Sequence, residues 1–441
     1  MQNPGGASNL THGPNRRHLL QAATAAAALF GISRSASAAE DASLKDAAAL
    51  APPLPPDSLF DRDPEAYWTR IRNDQFLLPE WRSFLNNGSL GIISRPVLNR
   101  ITEYLVTAAA LNRPEGYPRW GYETLDAERE EMAQYLGCKK DELAFVHNAT
   151  EALSTFANGI DLKAGDEVVM TDQEHTSGKS GWRMREARYG ISVREVKLPL
   201  PPKDPAQLAD LMVSAIGPRT KVLFFSGMTS PTGLILPIRQ ICDAARAKGV
   251  ITVVDGAHMH GQIAVKISDL GCDFFAGSPH KWMFAPAGSG ILYAREDMQD
   301  RCWPLVVTGG WDDKKLKANR YMRLGTNNRA TIEGMLAGLR FGRAIGHDRI
   351  YTRIHALAKT VRERAARLPY IDLLTPDNNT MYGSLVGIRF KKDPKLVYEE
   401  TARKKIWISA GDRVRISTHV HTRPRDVHEF FDIVEARMGK A

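Results

Sequence analysis

From about residue 96 the apolar positions keep changing period. "PVLNRITEYLVTAAALN" and "TLDAEREEMAQYLG" have helical spacing, and Leu125, Met132 and Leu136 fall on one face. "ELAFVH" reads as a strand and "TEALSTFANGI" as a helix. "DEVVMTD" is a strand, "SGWRMREARYG" a helix, "SVREVKL" a strand, "PAQLADLMVSAI" a helix and "KVLFFSG" a strand. "PIRQICDAARAKG" follows as a helix, opened by Pro237 at a favourable first-turn position, and "ITVVDGA" as a strand. Repeated strand–helix–strand order predicts an α/β fold with a mostly parallel central sheet and helices on both faces. Its strands are near-continuous apolar runs, as strands covered on both sides must be.

After about residue 340 the texture changes. Long helical stretches lead into short strands such as "SLVGIRF" and "RVRIST", and the chain closes on the helix "PRDVHEFFDIVEARMG". The expected organisation is a large domain over 96–340 and a smaller C-terminal α+β domain over 341–441. Residues 39–95 form a linker and N-terminal segment, in which "AAALAPPLPPD" is too proline-rich for a stable helix.

The first 38 residues read as an address. "NRRHLLQ" precedes the short apolar run "AATAAAALFGI", and small residues follow at Ala36 and Ala38. That run is about half of the ~20 residues a membrane span needs, so the mature chain is expected to have no membrane anchor. Arg16-Arg17 backed by Leu19-Leu20 resemble a twin-arginine signal. The expectation is recognition by the twin-arginine export machinery, cleavage after Ala38 and a periplasmic location.

Composition removes some alternatives. The net charge is +9, with arginine and lysine spread along all 441 residues and no aromatic–basic repeat. An anionic small molecule or cofactor suits that charge as well as nucleic acid does, and nucleic acid is not expected as a partner. Cys138, Cys242, Cys272 and Cys302 lie far apart and form no CxxC, so cysteine ligation of zinc is not expected. His258-x-His260 and His419-x-His421 could each put two imidazoles on one side of a strand. No acidic cluster completes either set, and no metal site is expected.

Ligands of open α/β sheets collect beyond the carboxyl ends of the strands. The polar residues there are His147 to Thr150, Asp172 to His175, Thr229-Ser230, Asp255 with His258, and Ser278 with His280 and Lys281. Asp255 directly follows "ITVV", where an unpaired carboxylate needs a positive partner. Lys281 or a protonated heterocycle would serve. Ala149 and Thr150 open a helix just after a strand, where backbone N–H groups and the helix dipole attract phosphate. Lys281 sits on the constrained turn "GSPHKW". A phosphate site, a carboxylate for a ring cation and a hemmed-in lysine match the three handles of pyridoxal phosphate: its phosphate, its pyridine nitrogen and its aldehyde, which condenses with lysine.

"VVDGAHMHG" and "GSPHKW" resemble the paired signatures of the class V aminotransferases, which are fold type I pyridoxal-phosphate enzymes. "FLNNGSLGIISRPV", "HNATEAL", "TDQEHTSG", "MTSPTG", "RLGTNN" and "RVRISTHVHT" follow in that family's order, over roughly residues 80 to 437. Within the family the chain resembles the isopenicillin N epimerase-like branch. An exported member is similar to the periplasmic enzyme that tailors pyoverdine siderophores. The resemblance implies that Lys281 carries the cofactor and shuttles the Cα proton, and that Asp255 keeps the pyridine nitrogen protonated. It implies that His175 stacks on the ring and that His258 reaches the phenolic oxygen. Thr150, Ser278 and His280 are implied as phosphate ligands, with Thr326 adding a contact from the neighbouring subunit of a homodimer. Arg415 is implied to clamp the substrate carboxylate, with Asn87 and Ser230 lining the substrate side. Spacing alone cannot choose Arg415 over Arg413, which shares its strand face. Pro279 departs from the family, standing where glycine is common.

Blander readings exist for each residue: a surface lysine at 281, caps at Asp255 and Thr150, a loop histidine at 175. The implied activity is chemistry at the amino group or Cα of an amino acid or peptide-like amine, with transamination placed ahead of epimerisation. A cysteine desulfurase would need a nucleophilic cysteine shortly before the arginine, and residues 343–441 contain none. A non-catalytic exported binding protein is the remaining alternative.

Overall fold

The structure is a computed structural model that describes residues 51–110, 121–122 and 124–439. The expected signal, with Arg16, Arg17 and the cleavage point at Ala38, lies outside the described residues, as does the linker up to residue 50. The described residues form twelve strands: β1 (Ser83–Phe84), β2 (Leu143–Val146), β3 (Glu167–Thr171), β4 (Ser192–Val196), β5 (Thr220–Ser226), β6 (Ile251–Asp255), β7 (Phe274–Gly277), β8 (Gly290–Ala294), β9 (Ile371–Leu373), β10 (Leu385–Phe390), β11 (Ile406–Trp407) and β12 (Val414–Ser417).

Seven of these strands make the central sheet, in the order β2-β8-β7-β6-β5-β3-β4. Neighbours from β7 through β4 pair in parallel, whereas β8 runs antiparallel to both β2 and β7. The carboxyl ends of β2, β3, β5, β6 and β7 therefore share one edge. Residues 222–225, 251–255 and 274–277 are buried without exception, as near-continuous apolar runs require. The expected helices are present at Arg95–Ala109, Asp126–Leu136, Ala149–Gly159, Thr176–Tyr189, Pro205–Ser214, Ile238–Ala247 and Arg329–Ile345. Leu125, Met132 and Leu136 are all buried in the main core, as their spacing predicts.

A second apolar core lies under the antiparallel sheet β12-β10-β9, where Val386, Ile388, Val414 and Ile416 meet Phe430, Phe431 and Val434 of the last helix, Pro424–Met438. The N-terminal segment also contains a helix that apolar periodicity did not announce, Pro64–Gln75. Asp63 caps it by accepting from the Ala66 N–H at 3.0 Å, and proline occupies its first turn. Tyr67, Trp68 and Ile71 of this helix join a third cluster with Phe76, Phe284 and Phe341. Among the described residues no helix is long and apolar enough to cross a membrane.

Candidate active site

A cleft of about 390 Å³ opens at the shared strand edge. Asn148, Ala149 and Thr150 enter it from the turn after β2, and His175 from the loop after β3. Ser226 and Ser230 come from the end of β5 and beyond, Asp255 from the end of β6 and His258 from the turn after it, and Ser278, His280 and Lys281 from the segment after β7. Arg415 of β12 and the Gly88-Ser89 turn close the other wall. Ten of the expected site residues thus meet in one place. Asn87 and Thr326 are not on its wall.

Lys281 sits on the one-turn helix Pro279–Trp282. The carbonyls of so short a helix have no partners within it. All three at its end are held by distant residues. Gly91 N donates to His280 O at 2.9 Å, Asn87 Nδ2 to Lys281 O at 2.7 Å, and His419 Nε2 lies 3.2 Å from Trp282 O. Gly91 is required there, since a Cβ would come within 2.3 Å of Lys281 O. Asn87 is buried and, at its other end, its Oδ1 lies 3.3 Å from His421 Nε2. Its amide therefore orients the backbone of the lysine. His419 and His421 likewise buttress this turn with Nε2, and among the described residues no group of three His, Cys, Asp or Glu side chains could hold a metal.

The electrostatics follow from burial. Lys281 is held down to about 8, chiefly because it is desolvated; Asp255 pulls it up and Arg415 pushes it further down. Its Nζ lies 3.0 Å from His258 Nε2. His258 is held well below the ordinary imidazole range by desolvation and then by Lys281 and Arg415. His175 caps the helix Thr176–Tyr189, accepting from Ser177 N at 3.2 Å through Nδ1, and desolvation lowers it too. Asp255 Oδ1 accepts from Ala257 N at 3.0 Å.

Arg415 is the clearest unfilled demand. Its guanidinium donates to Ser230 Oγ at 3.0 Å, Asn86 Oδ1 at 3.1 Å and Ser89 Oγ at 2.5 Å, all neutral acceptors, and its Nε has no partner. Among the described residues no carboxylate pairs with it, and desolvation brings it down to about 10. A desolvated cation without a counterion fits an anionic ligand. Arg413 points elsewhere, donating to Gln173 Oε1 at 2.8 Å in an adjoining cleft. The tertiary structure thereby separates two arginines that strand spacing could not.

The donor set fits pyridoxal phosphate. The helix Ala149–Gly159 presents its first-turn N–H groups beside the Ser278 hydroxyl, which accepts from Ala149 N at 3.2 Å. Gly290 lets this turn approach, because a Cβ would lie 2.5 Å from Asn148 N. His280 Nδ1 is 2.9 Å from Ser289 O, so it donates there and leaves Nε2 free on the cleft wall; desolvation lowers its pKa, with Lys281 adding to that and the Ser289 carbonyl opposing it. Asp255 supplies the anion for a ring cation, and Lys281 the amine for an aldehyde. Thr326 is exposed; its neighbour Asn327 has Oδ1 3.1 Å from His147 Nε2.

Glu174, within the strand-end run Asp172 to His175, was given no role of its own by the sequence. This buried carboxyl accepts from Ser226 Oγ at 2.6 Å and Thr171 Oγ1 at 2.5 Å. Desolvation, with Asp255 adding to it, pushes it up to about 7 despite those bonds. A carboxyl held above its unfolded value costs stability as it ionises, so the penalty grows from about pH 4.5 to 7. Glu174→Gln is expected to remove that pH dependence. Relative to wild type the variant should gain on the order of 2 kcal/mol between pH 5 and pH 8, read from urea midpoints. Parallel profiles would refute it.

This fold and this cleft define a fold type I pyridoxal-phosphate enzyme. The sequence pattern of the family "Aminotransferase class-V" matches residues 84–430, and the chain belongs to that family. It is 33% identical to isopenicillin N epimerase of Amycolatopsis lactamdurans, over 81% of this chain and 91% of that protein. It is 31% identical to isopenicillin N epimerase of Streptomyces clavuligerus, over 85% and 99%. A cysteine desulfurase of Pectobacterium carotovorum is 28% identical over 57% of this chain and 64% of its own length. Among solved structures, apo cysteine desulfurase from Thermococcus onnurineus NA1 superposes with a TM-score of 0.73 at 24% identity, covering 85% of this chain and 98% of that one. C-DES carrying glycine covalently linked to its PLP cofactor gives 0.69 at 21%, covering 80% and 95%. Pyridoxal phosphate is the cofactor of this class.

Proposed function

We propose that this enzyme moves a proton at the Cα of an amino acid or amino-acid-like moiety whose carboxylate is held by Arg415, with transamination as the outcome. The observation that carries the reading is the meeting in one cleft of an amine of lowered basicity, Lys281, and a half-buried cation, Arg415, that pairs with no carboxylate among the described residues. When bound, pyridoxal phosphate supplies the sink for the electron pair left at Cα. Asp255 would hold the ring proton there, and Ala149, Thr150, Ser278 and His280 would hold the phosphate. The free-base fraction of Lys281 Nζ, enlarged by its lowered basicity, would take the Cα proton and deliver it from the same face to the cofactor's aldehyde carbon, the proton shift that transamination needs. One base suffices for transamination.

Epimerisation is the second reading, favoured by the two epimerases covered over 91% and 99% of their lengths. It needs an acid on the opposite face. His175, whose Nδ1 accepts from Ser177 N, keeps its proton on Nε2 and is the group on the cleft wall suited to that role. Desulfuration is disfavoured: Cys242, Cys272 and Cys302 are buried, burial raises all four thiols, and none faces the cleft. The adjoining cleft of about 470 Å³ shares His175, Ser230 and Arg415 with the first and gives room for a polar, peptide-like extension of the substrate. The test is product analysis on the holoenzyme with a panel of amino acids and peptides. A keto product with aminated cofactor supports transamination, and inverted chirality at unchanged mass supports epimerisation. Elemental sulfur or persulfide release from cysteine would overturn both.

A homodimer and periplasmic location belong to the same reading. Trp303, Leu305, Val306, Val307 and Trp311 are exposed, and this segment is tied to the one carrying Thr326 by Thr308 Oγ1 donating to Arg323 O at 2.8 Å. An apolar patch beside Thr326 suits a second copy of the chain. One periplasmic preparation checks both expectations: a first residue of Ala39 on sequencing, and a solution mass of two chains.

A further inference from the structure

Trp282 follows the lysine, and its indole is fully buried. Its Nε1 donates to His258 Nδ1 at 3.3 Å, while Nε2 on the other side of the same imidazole lies 3.0 Å from Lys281 Nζ. An indole N–H can only donate, so His258 Nδ1 must accept. A neutral imidazole that accepts at Nδ1 carries its proton on Nε2. Nε2–H then donates towards the lysine. An amine accepts such a bond through its lone pair; an ammonium has none. We propose that Trp282 is a positioning residue which, by fixing the tautomer of His258, biases Lys281 towards its free base. This rests on Lys281 being the reacting amine, since only the free base attacks an aldehyde or takes a Cα proton.

The converse arrangement has an ammonium at Lys281 donating to Nε2. It would place the His258 proton on Nδ1, donor against donor with the indole. The other groups around the lysine do not decide the matter. Asp255 of β6 favours the ammonium and Arg415 of β12 opposes it. His175, ahead of its helix, and His280, on the lysine's own turn, complete the titratable groups facing the pair, with Glu174 behind Asp255. His258 is the hydrogen-bond partner of Nζ among the described residues. The indole is held in turn by His419, whose ring stacks on it at 5.8 Å. Val420 N donates to His419 Nδ1 at 2.9 Å, which leaves His419 Nε2–H for Trp282 O.

The test uses the full chain with and without cofactor. In wild type, imidazole ¹⁵N correlations should show His258 protonated at Nε2 and bare at Nδ1 in both forms. In the cofactor-free chain, the pH dependence of Lys281 acetylation, read by peptide mass spectrometry, should have a midpoint near 8. Trp282→Phe keeps an apolar ring but deletes the donor. The Nδ1–H form should then become populated, and Nε2 can accept from an ammonium. The midpoint should rise by about half a pH unit or more, and acetylation at neutral pH should fall about threefold. A Nδ1–H tautomer in wild type overturns the proposal even if the variant does not fold. So does a folded Trp282→Phe with unchanged tautomer and midpoint. Failure of borohydride to fix the cofactor on Lys281 would instead strike the functional reading and leave the tautomer result standing.

Discussion

Lys281→Ala is expected to abolish covalent retention of the cofactor and to lower turnover on the order of 10³-fold or more, because attachment point and base are lost together. Borohydride reduction of wild type should fix the cofactor on the peptide carrying Lys281; the variant should release it on dialysis. The same change carries a stability signature with a defined sign. Lys281 is held near 8 in the fold, against an ordinary value of 10.5. The folded chain therefore binds fewer protons than the unfolded chain between those values, and wild type gains stability as pH rises through that window. In the cofactor-free chain, Lys281→Ala should lack that gain. Label on a different lysine, or activity within tenfold of wild type, would refute the assignment.

Arg415→Ala is expected to separate function from stability. In wild type the half-buried guanidinium lies against Ser230, Asn86 and Ser89, and among the described residues no carboxylate offsets its desolvation. Removing it should lower kcat/KM on the order of 10²- to 10³-fold, the cost of losing a desolvated arginine–carboxylate pair. Thermal stability should change little, since the half-buried charge removed has no counterion among the described residues. Arg415→Lys should recover little, because an ammonium cannot reproduce the planar fork. The substrate amide, which lacks the charge, should be affected far less than the acid. Equal losses on acid and amide would show that Arg415 supports the fold of the cleft and does not read the carboxylate.

"ITVVDGA" could be placed from pattern alone, because a strand buried on both faces must be apolar and must end where polarity returns, and "GSPHKW" stood out as a constrained turn. Asp255 and Lys281 were therefore legible. The helix Pro64–Gln75 was not, since its apolar side chains form an aromatic knot with Phe284 and Phe341, too short and too distant in sequence to show as a period. Glu174 fell in the strand-end run Asp172 to His175, but its role was illegible for a different reason. Only the folded strand ends bring Ser226 and Thr171 to it, and only burial makes its proton matter. The antiparallel course of β8, and the choice of Arg415 over Arg413, likewise needed the folded chain.

What the sequence by itself determined is the alternation that builds the sheet and the order in which chemical groups arrive at its edge. Period and polarity are local properties, and each strand end is marked by its own residues. What only the tertiary structure decided is which groups touch and in which protonation state: Asn87 on the Lys281 carbonyl, Trp282 on His258, Arg415 left without an anion. Those facts depend on distances between residues far apart in the chain and on the water excluded around them, and neither quantity is written in any single stretch of sequence.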